Sequence, residues 1–202
     1  MRILITGFDP FGGEETNPSE EVLRLLPEIP GAEIRKRVLP TVFGTASSIL
    51  CDAVEAFLPD AVVCLGQAGG RAGITVERVA INVRDASLPD NLKKQPEDET
   101  IAVDGETAYF ATLPIKAIVK AIDASGLKAS ISNTAGTFVC NDVLYSLLHF
   151  ARKNYPHMKC GFIHLPYTFE QVRDKPAGTE FMYMENILRG VQIAIETIIK
   201  EA

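Results

Sequence analysis

An α/β fold, three layers deep in the order α/β/α with a mostly parallel, twisted central sheet, is what this chain predicts. The first observation is alternation: strand-like and helix-like runs follow one another along most of the 202 residues, the pattern of strands joined by crossover helices. The second is that short apolar runs such as Ile3 to Thr6 and Ala61 to Leu65 end at glycine-rich turns, as buried strands do. The third is the absence of any fixed-period repeat, low-complexity tract or boundary signal, so one domain over residues 1–202 accounts for the chain.

Taken in order, Ile3 to Thr6 reads as the first strand. A helix follows near Ser19 to Leu26 with Ser19 as its cap, then a strand at Glu33 to Leu39, a helix at Thr45 to Phe57 and a strand at Ala61 to Leu65. Ile74 to Val83 reads as extended. Leu88 to Glu99, with two prolines, clustered Asp and Asn and two lysines, reads as a surface excursion. The alternation resumes with a helix near Tyr109 to Ala124, a strand at Lys128 to Ser132, a helix from Cys140, a strand at Cys160 to His164 and a last helix from about Thr179 to Lys200.

Composition narrows the function. A chain of this length buries roughly 70% of the surface its unfolded form exposes, so it needs no disulfide staples. A net charge of -6 suits a soluble protein and disfavours a nucleic-acid partner. Gly7, Asp9 and Pro10 interrupt the apolar start too early for a secretory core, and no stretch approaches the roughly 18 apolar residues of a membrane span. A cytoplasmic protein with no membrane partner is the expectation. The four cysteines, Cys51, Cys64, Cys140 and Cys160, form no C-x-x-C pair and no ligand-spaced cluster with histidine, which argues against a structural zinc site; Cys51, Cys64 and Cys160 read as core thiols.

Cys140 is set apart by position. It follows the strand at Lys128 to Ser132 and the turn at Gly136, and it opens the apolar stripe Val143, Leu144, Leu147, Leu148. A thiol in the first helical turn faces unpaired N–H groups and the positive end of the macrodipole, both of which favour thiolate. A thiol nucleophile needs a base and a group that orients it. Of three histidines, His149 lies mid-helix among apolar residues and His157 in a polar loop, whereas His164 closes the strand Cys160 to Ile163, where open α/β sheets gather catalytic groups. Cys140 and His164 follow consecutive strands, which predicts that both rise from one edge of the sheet. Glu77, an acid inside the apolar run Ile74 to Asn82, is the candidate third member; a surface ion pair is its plainer reading.

Two glycine clusters, Gly7 to Gly13 and Gly66 to Arg71, follow strands but lack dinucleotide-fold spacing. Either offers backbone N–H groups to a ligand or simply a tight strand exit. Phe8, Phe11 and Asn17, just past the first strand, suit a pocket for a small, flat, uncharged group making amide hydrogen bonds; core aromatics and a helix cap are the alternative.

Together these segments resemble pyroglutamyl peptidase type I over essentially the full length. The resemblance rests on GFDPFGG with NPS (7–13, 17–19), GQAGGR with ITVERVAIN (66–71, 74–82), SNTAGTFVCN (132–141) and GFIHLPY (161–167), in that order. It implies a cysteine peptidase that removes N-terminal pyroglutamyl residues from peptides through a Cys-His-Glu triad, with the nucleophile at Cys140, the base at His164 and the orienting carboxylate at Glu77. It further implies a ring pocket drawing on Phe8, Phe11, Asn17 and Phe138. Gln67 of the second glycine loop is a further candidate binding residue. No metal or cofactor, a cytosolic location and a homotetramer complete what the resemblance implies. One departure stands out: where the family usually reads D-A-R-I-P-D-N, this chain has Ser87 in place of the arginine, with Arg84 or Arg71 as candidates to reach the same space. A nucleoside phosphorylase-like enzyme holding phosphate at the glycine loops and a binding homologue without turnover are the rival readings.

Overall fold

The computed structural model describes residues 1–202. In chain order its elements are β1 (Arg2–Phe8), α1 (Pro18–Leu25), β2 (Glu33–Leu39), α2 (Thr45–Phe57), β3 (Ala61–Gln67), β4 (Ile74–Glu77), β5 (Val79–Ile81), β6 (Ala108–Phe110), α3 (Ile115–Ala124), β7 (Ala129–Ser132), α4 (Val139–Asn154), β8 (Lys159–Leu165) and α5 (Met184–Lys200). Six strands form one sheet in the order β2-β1-β3-β8-β4-β7, and β5 pairs with β6 in a separate ribbon. No helix is long and apolar enough to cross a membrane.

The period-2 alternation of each strand separates two cores. Leu4, Phe8, Val62, Cys64, Cys160 and Phe162 face α2 and α4, meeting Leu50, Val54, Phe57, Val143, Leu144 and Leu147. Ile3, Ile5, Val63, Leu65, Ile163 and Leu165 face the other way, meeting Val22, Ile118, Ile122, Val191 and Ile195 of α1, α3 and α5. The central strands are therefore apolar on both sides, and the layers are helix, sheet, helix. Each fully buried Leu or Ile in these cores contributes about 1.5–3 kcal/mol of transfer free energy.

Every pairing in the main sheet is parallel except β4 with β8. The cause lies in a connection length. The link from β3 to β4 runs only over residues 68–73, too short for a crossover back to the start of the sheet, which takes a dozen residues or more. β4 must therefore turn back and run against β3 and β8, and β7 follows it. Cys140 and His164 consequently do not leave the sheet at one carboxyl-end edge as the strand order predicts. Residues 133–138 instead carry the chain from β7 to α4, whose first turn meets the sheet beside Gly66 of β3.

Other boundaries move for local reasons. Pro114 sits at the N-cap of α3 and disfavours helix before it, so the helix predicted from Tyr109 begins at Ile115 and Ala108–Phe110 is strand. The last helix starts at Met184 rather than Thr179, because Phe181 and Tyr183 pack with Phe169 outside it. The cap of α1 is Asn17, not Ser19: Pro18 takes the first helical position, which suits its fixed φ. The extended run from Ile74 breaks after Glu77, sending Val79–Ile81 into the ribbon with β6. The excursion at 88–99 has no helix or strand of its own, yet buried Asp90 pins it by accepting from the N–H groups of Phe43, Leu92 and Lys94.

Candidate active site

Three elements converge on the face of the sheet that carries α2 and α4. His164 and Phe162 project from β8 on that face, their rings 4.6 Å apart between centroids. Thr75 pairs in register with His164, and Glu77, two residues on, shares its side of β4. Glu77 is fully buried and His164 is 3% exposed. The His164 Nδ1–H donates to Glu77 Oε1 at 2.7 Å; a carboxylate can only accept, so Nδ1 carries the proton and Nε2 the lone pair. Glu77 is thus an internal partner of the imidazole and not the surface ion pair of its plainer reading.

Cys140 lies in the first turn of α4, after Phe138 at the N-cap. The turn before it needs Gly136, whose φ of 75° lies in the left-handed region. The two residues after Cys140 hold this helix start in place. Asn141 accepts from the Ile81 N–H and donates to the carbonyls of Ile81 and Val83, tying α4 to β5. Buried Asp142 accepts from the Gly44 N–H, the Ser47 hydroxyl and Arg84 Nε at 2.7–3.0 Å, tying it to α2. The thiol is brought down onto β3 at Gly66. A methyl group there would stand 2.6 Å from Phe162 Cζ and 3.2 Å from Cys140 Sγ, so only glycine leaves the sulfur room beside the strand that pairs with β8. Gly66 is the register partner of His164, which puts the thiol one strand from the imidazole, on the same face.

Charge in the site favours neutral groups. Burial pushes the Cys140 thiol up to about 12, and the Glu77 carboxylate adds to the rise. The pull of the helix start toward thiolate is real but smaller than this desolvation. Burial also lowers His164, against the opposing influence of Glu77. For Glu77 burial acts upward, but the hydrogen bond and charge of His164, with help from Ser132 and Arg71, hold the carboxyl below its usual range. At neutral pH the free protein therefore holds a thiol, a neutral imidazole and a carboxylate.

The aromatic residues divide. Phe11 and Phe138 pack at 5.9 Å, and Phe43 meets Phe138 edge-on at 5.2 Å, forming a wall two residues before Cys140. Phe8 is 2% exposed and packs on Phe162 within the core. Asn17 is buried; its Oδ1 accepts from both the N–H and the hydroxyl of Ser19, and its Nδ2 donates to Asp9 O. It serves the helix cap and the glycine loop, which leaves one amide proton for anything else. Gln67 Oε1 accepts from Gln171 at 2.8 Å. Phe43 is a site neighbour that pattern reading did not single out, and Arg71 figures there only as a stand-in for the arginine missing at Ser87. Phe43 carries no motif signal, whereas Arg71 ends GQAGGR directly before the acid-bearing strand. His149 is held by Tyr109 and Asp104 away from the site, as its mid-helix position suggested.

Comparison with known proteins places this arrangement. The comparisons place this chain among the hydrolases of the peptidase class. The sequence model described as pyroglutamyl peptidase matches residues 1–201, and the chain belongs to that family. It is 54% identical over 201 residues to the pyrrolidone-carboxylate peptidase of Streptococcus suis, covering 99% of this chain and 93% of that protein. The same figure over 200 residues holds for the enzyme of Streptococcus pyogenes, covering 98% and 93%. Among solved structures, pyroglutamyl peptidase I from Bacillus amyloliquefaciens superposes with a TM-score of 0.94 at 44% identity, covering 98% of this chain and 94% of that one. A mutant pyrrolidone carboxyl peptidase from Pyrococcus furiosus gives 0.95 at 44%, covering 100% and 99%.

Proposed function

We propose that this protein removes N-terminal pyroglutamyl residues from peptides as a cysteine peptidase, with Cys140 as nucleophile, His164 as base and Glu77 as the carboxylate that orients it. The observation that carries the reading is the buried 2.7 Å bond from His164 Nδ1–H to Glu77 Oε1. It commits the imidazole to the tautomer whose bare Nε2 accepts a proton.

Cys140 Sγ attacks the exocyclic carbonyl of the pyroglutamyl residue while its proton passes to His164. The negative charge that develops on the carbonyl oxygen falls to the Cys140 N–H and an N–H of the 67–70 loop; one such donor is typically worth about 3 kcal/mol of barrier. The imidazolium returns its proton to the leaving amine as the C–N bond breaks, leaving a thioester. Water, deprotonated by His164, then releases free pyroglutamate and restores the thiol. Because thiol and imidazole rest neutral, no buried thiolate–imidazolium pair has to be held between turnovers. The lactam ring is uncharged and suits the wall of Phe11, Phe43 and Phe138. Discrimination then falls to amide hydrogen bonds, which reject an analogue lacking the ring carbonyl by up to about 10⁴-fold.

The test is release of a chromogenic amine from pyroglutamyl-amide beside its prolyl analogue, before and after iodoacetamide. Turnover of the first alone, abolished by alkylation, is the expected result; equal cleavage of both, or indifference to alkylation, would overturn the reading. In the same assay Gly66→Ala should lower kcat by about a hundredfold, the scale of an ångström-sized misplacement of a reacting group. Its stability cost should stay near 1–3 kcal/mol, as for other overpacked sites, and a urea melt run in parallel separates the two effects.

A further inference from the structure

Glu77 Oε1 accepts from two directions. Besides His164 Nδ1–H, it takes Arg71 Nη1 at 2.8 Å. The same Nη1 also donates to the Thr75 hydroxyl, and Nη2 reaches Thr134 O at 3.4 Å. Arg71 thus lies across the face of β4, spanning Thr75 and Glu77, with one branch on the segment that leads from β7 to Cys140. Glu77 Oε2 is buried with no hydrogen-bond partner, so the short contacts on Oε1 are what chiefly aim the carboxylate. Nor is Arg71 spare: with Arg84 bound to Asp142 and Arg71 to Glu77, neither of the two arginines offered as stand-ins for the one missing at exposed Ser87 is unpaired.

We propose that Arg71 is a positioning residue for this reaction: its guanidinium holds the one Glu77 oxygen that His164 uses, and so fixes both the aim of the carboxylate and the charge the imidazole experiences. The inference rests on the reading in which His164 is the base and Glu77 its partner. The charged and titratable groups acting on His164 are Glu77 from β4 and Arg71 from the loop before it, with Cys140 of α4 and Cys64 of β3 on the same face. A buried carboxylate gripped by His164 alone would draw the proton onto the imidazole as an ion pair. The guanidinium supplies the countercharge instead and leaves His164 free to accept a proton.

The sign of the effect follows. Removing the Arg71 cation makes His164 easier to protonate, so the acid limb of kcat/KM, which requires unprotonated His164, moves to higher pH. Removing the Glu77 anion moves it to lower pH. In Arg71→Ala we expect an upward shift of about one pH unit and a kcat at neutral pH lower by about 10- to 100-fold, the usual loss for a supporting partner. Arg71→Lys, which keeps the charge but loses the fork, should retain the wild-type acid limb with an intermediate kcat. Millimolar guanidinium, far below denaturing concentrations, should restore activity to Arg71→Ala and not to Glu77→Ala. A merely structural role would shift no pH limb and would not answer to guanidinium; thermal melts of each variant confirm that folded protein is assayed. Wild-type kcat and acid limb in Arg71→Ala, with Glu77→Ala impaired, would overturn the role of Arg71 alone. Wild-type behaviour of both variants would overturn the reading of Glu77 as well.

Discussion

Cys140→Ala is expected to lower kcat for pyroglutamyl-amide by on the order of 10⁶-fold, the size of loss that follows deletion of a nucleophile from a triad acting as a unit. No other group can take its place: Cys64 and Cys160 are fully buried on β3 and β8, and burial raises both thiols as well. The fold should barely respond, since Cys140 is only partly buried and its helix is held by Asn141 and Asp142. Titration calorimetry with free pyroglutamate should show ring binding retained. A variant keeping even one part in a hundred of the wild-type rate would remove Cys140 from the mechanism. The pH behaviour of the intact protein follows from the same burial. With the thiol raised to about 12 by burial, alkylation by iodoacetamide in the absence of substrate should be slow at neutral pH and accelerate only well above pH 9.

Glu77→Ala should cost on the order of 10⁴-fold in kcat, the loss seen when the orienting carboxylate alone is removed from such a triad. Two effects act in one direction. The imidazole loses the acceptor that keeps the proton on Nδ1, and Arg71, now without its anion, stands beside a ring that must become cationic in the transition state. Rates measured across pH test this: kcat falls throughout while the acid limb moves down. A variant within tenfold of wild type would mean that another group orients His164. Stability carries the same sign. His164 is lowered in the folded protein, so the unfolded chain binds a proton more readily below about pH 6.5, and the folded state weakens as pH falls through that window.

Much of this was legible in the residue pattern. The two-faced apolar runs of β1, β3 and β8 announced buried parallel strands, and the stripe after Cys140 announced a helix packed by Val143, Leu144 and Leu147. Glu77 drew notice because an acid in an apolar strand requires a partner. The reversal of β4 was harder to read, since it depends on counting the 68–73 loop against the reach of a crossover rather than on any residue. Asn17 was ambiguous for a chemical reason: an amide suits a ligand and a helix cap equally, and only the position of Pro18 tips it toward the cap. The balance at Cys140 was equally out of reach. Helix-start electrostatics can be read from sequence, whereas the desolvation that outweighs them comes from burial against β3 at Gly66, which is remote along the chain.

The placement of β8 bears on how such an enzyme is made. This strand is the last to be synthesised, yet it belongs between β3 and β4, and it brings the imidazole with it. A nascent chain that stops short of β8 has a gap in the middle of its sheet and lacks the proposed base, His164, although the proposed nucleophile, Cys140, has already been made. On the proposed mechanism, hydrolytic competence therefore appears only when the central slot is filled.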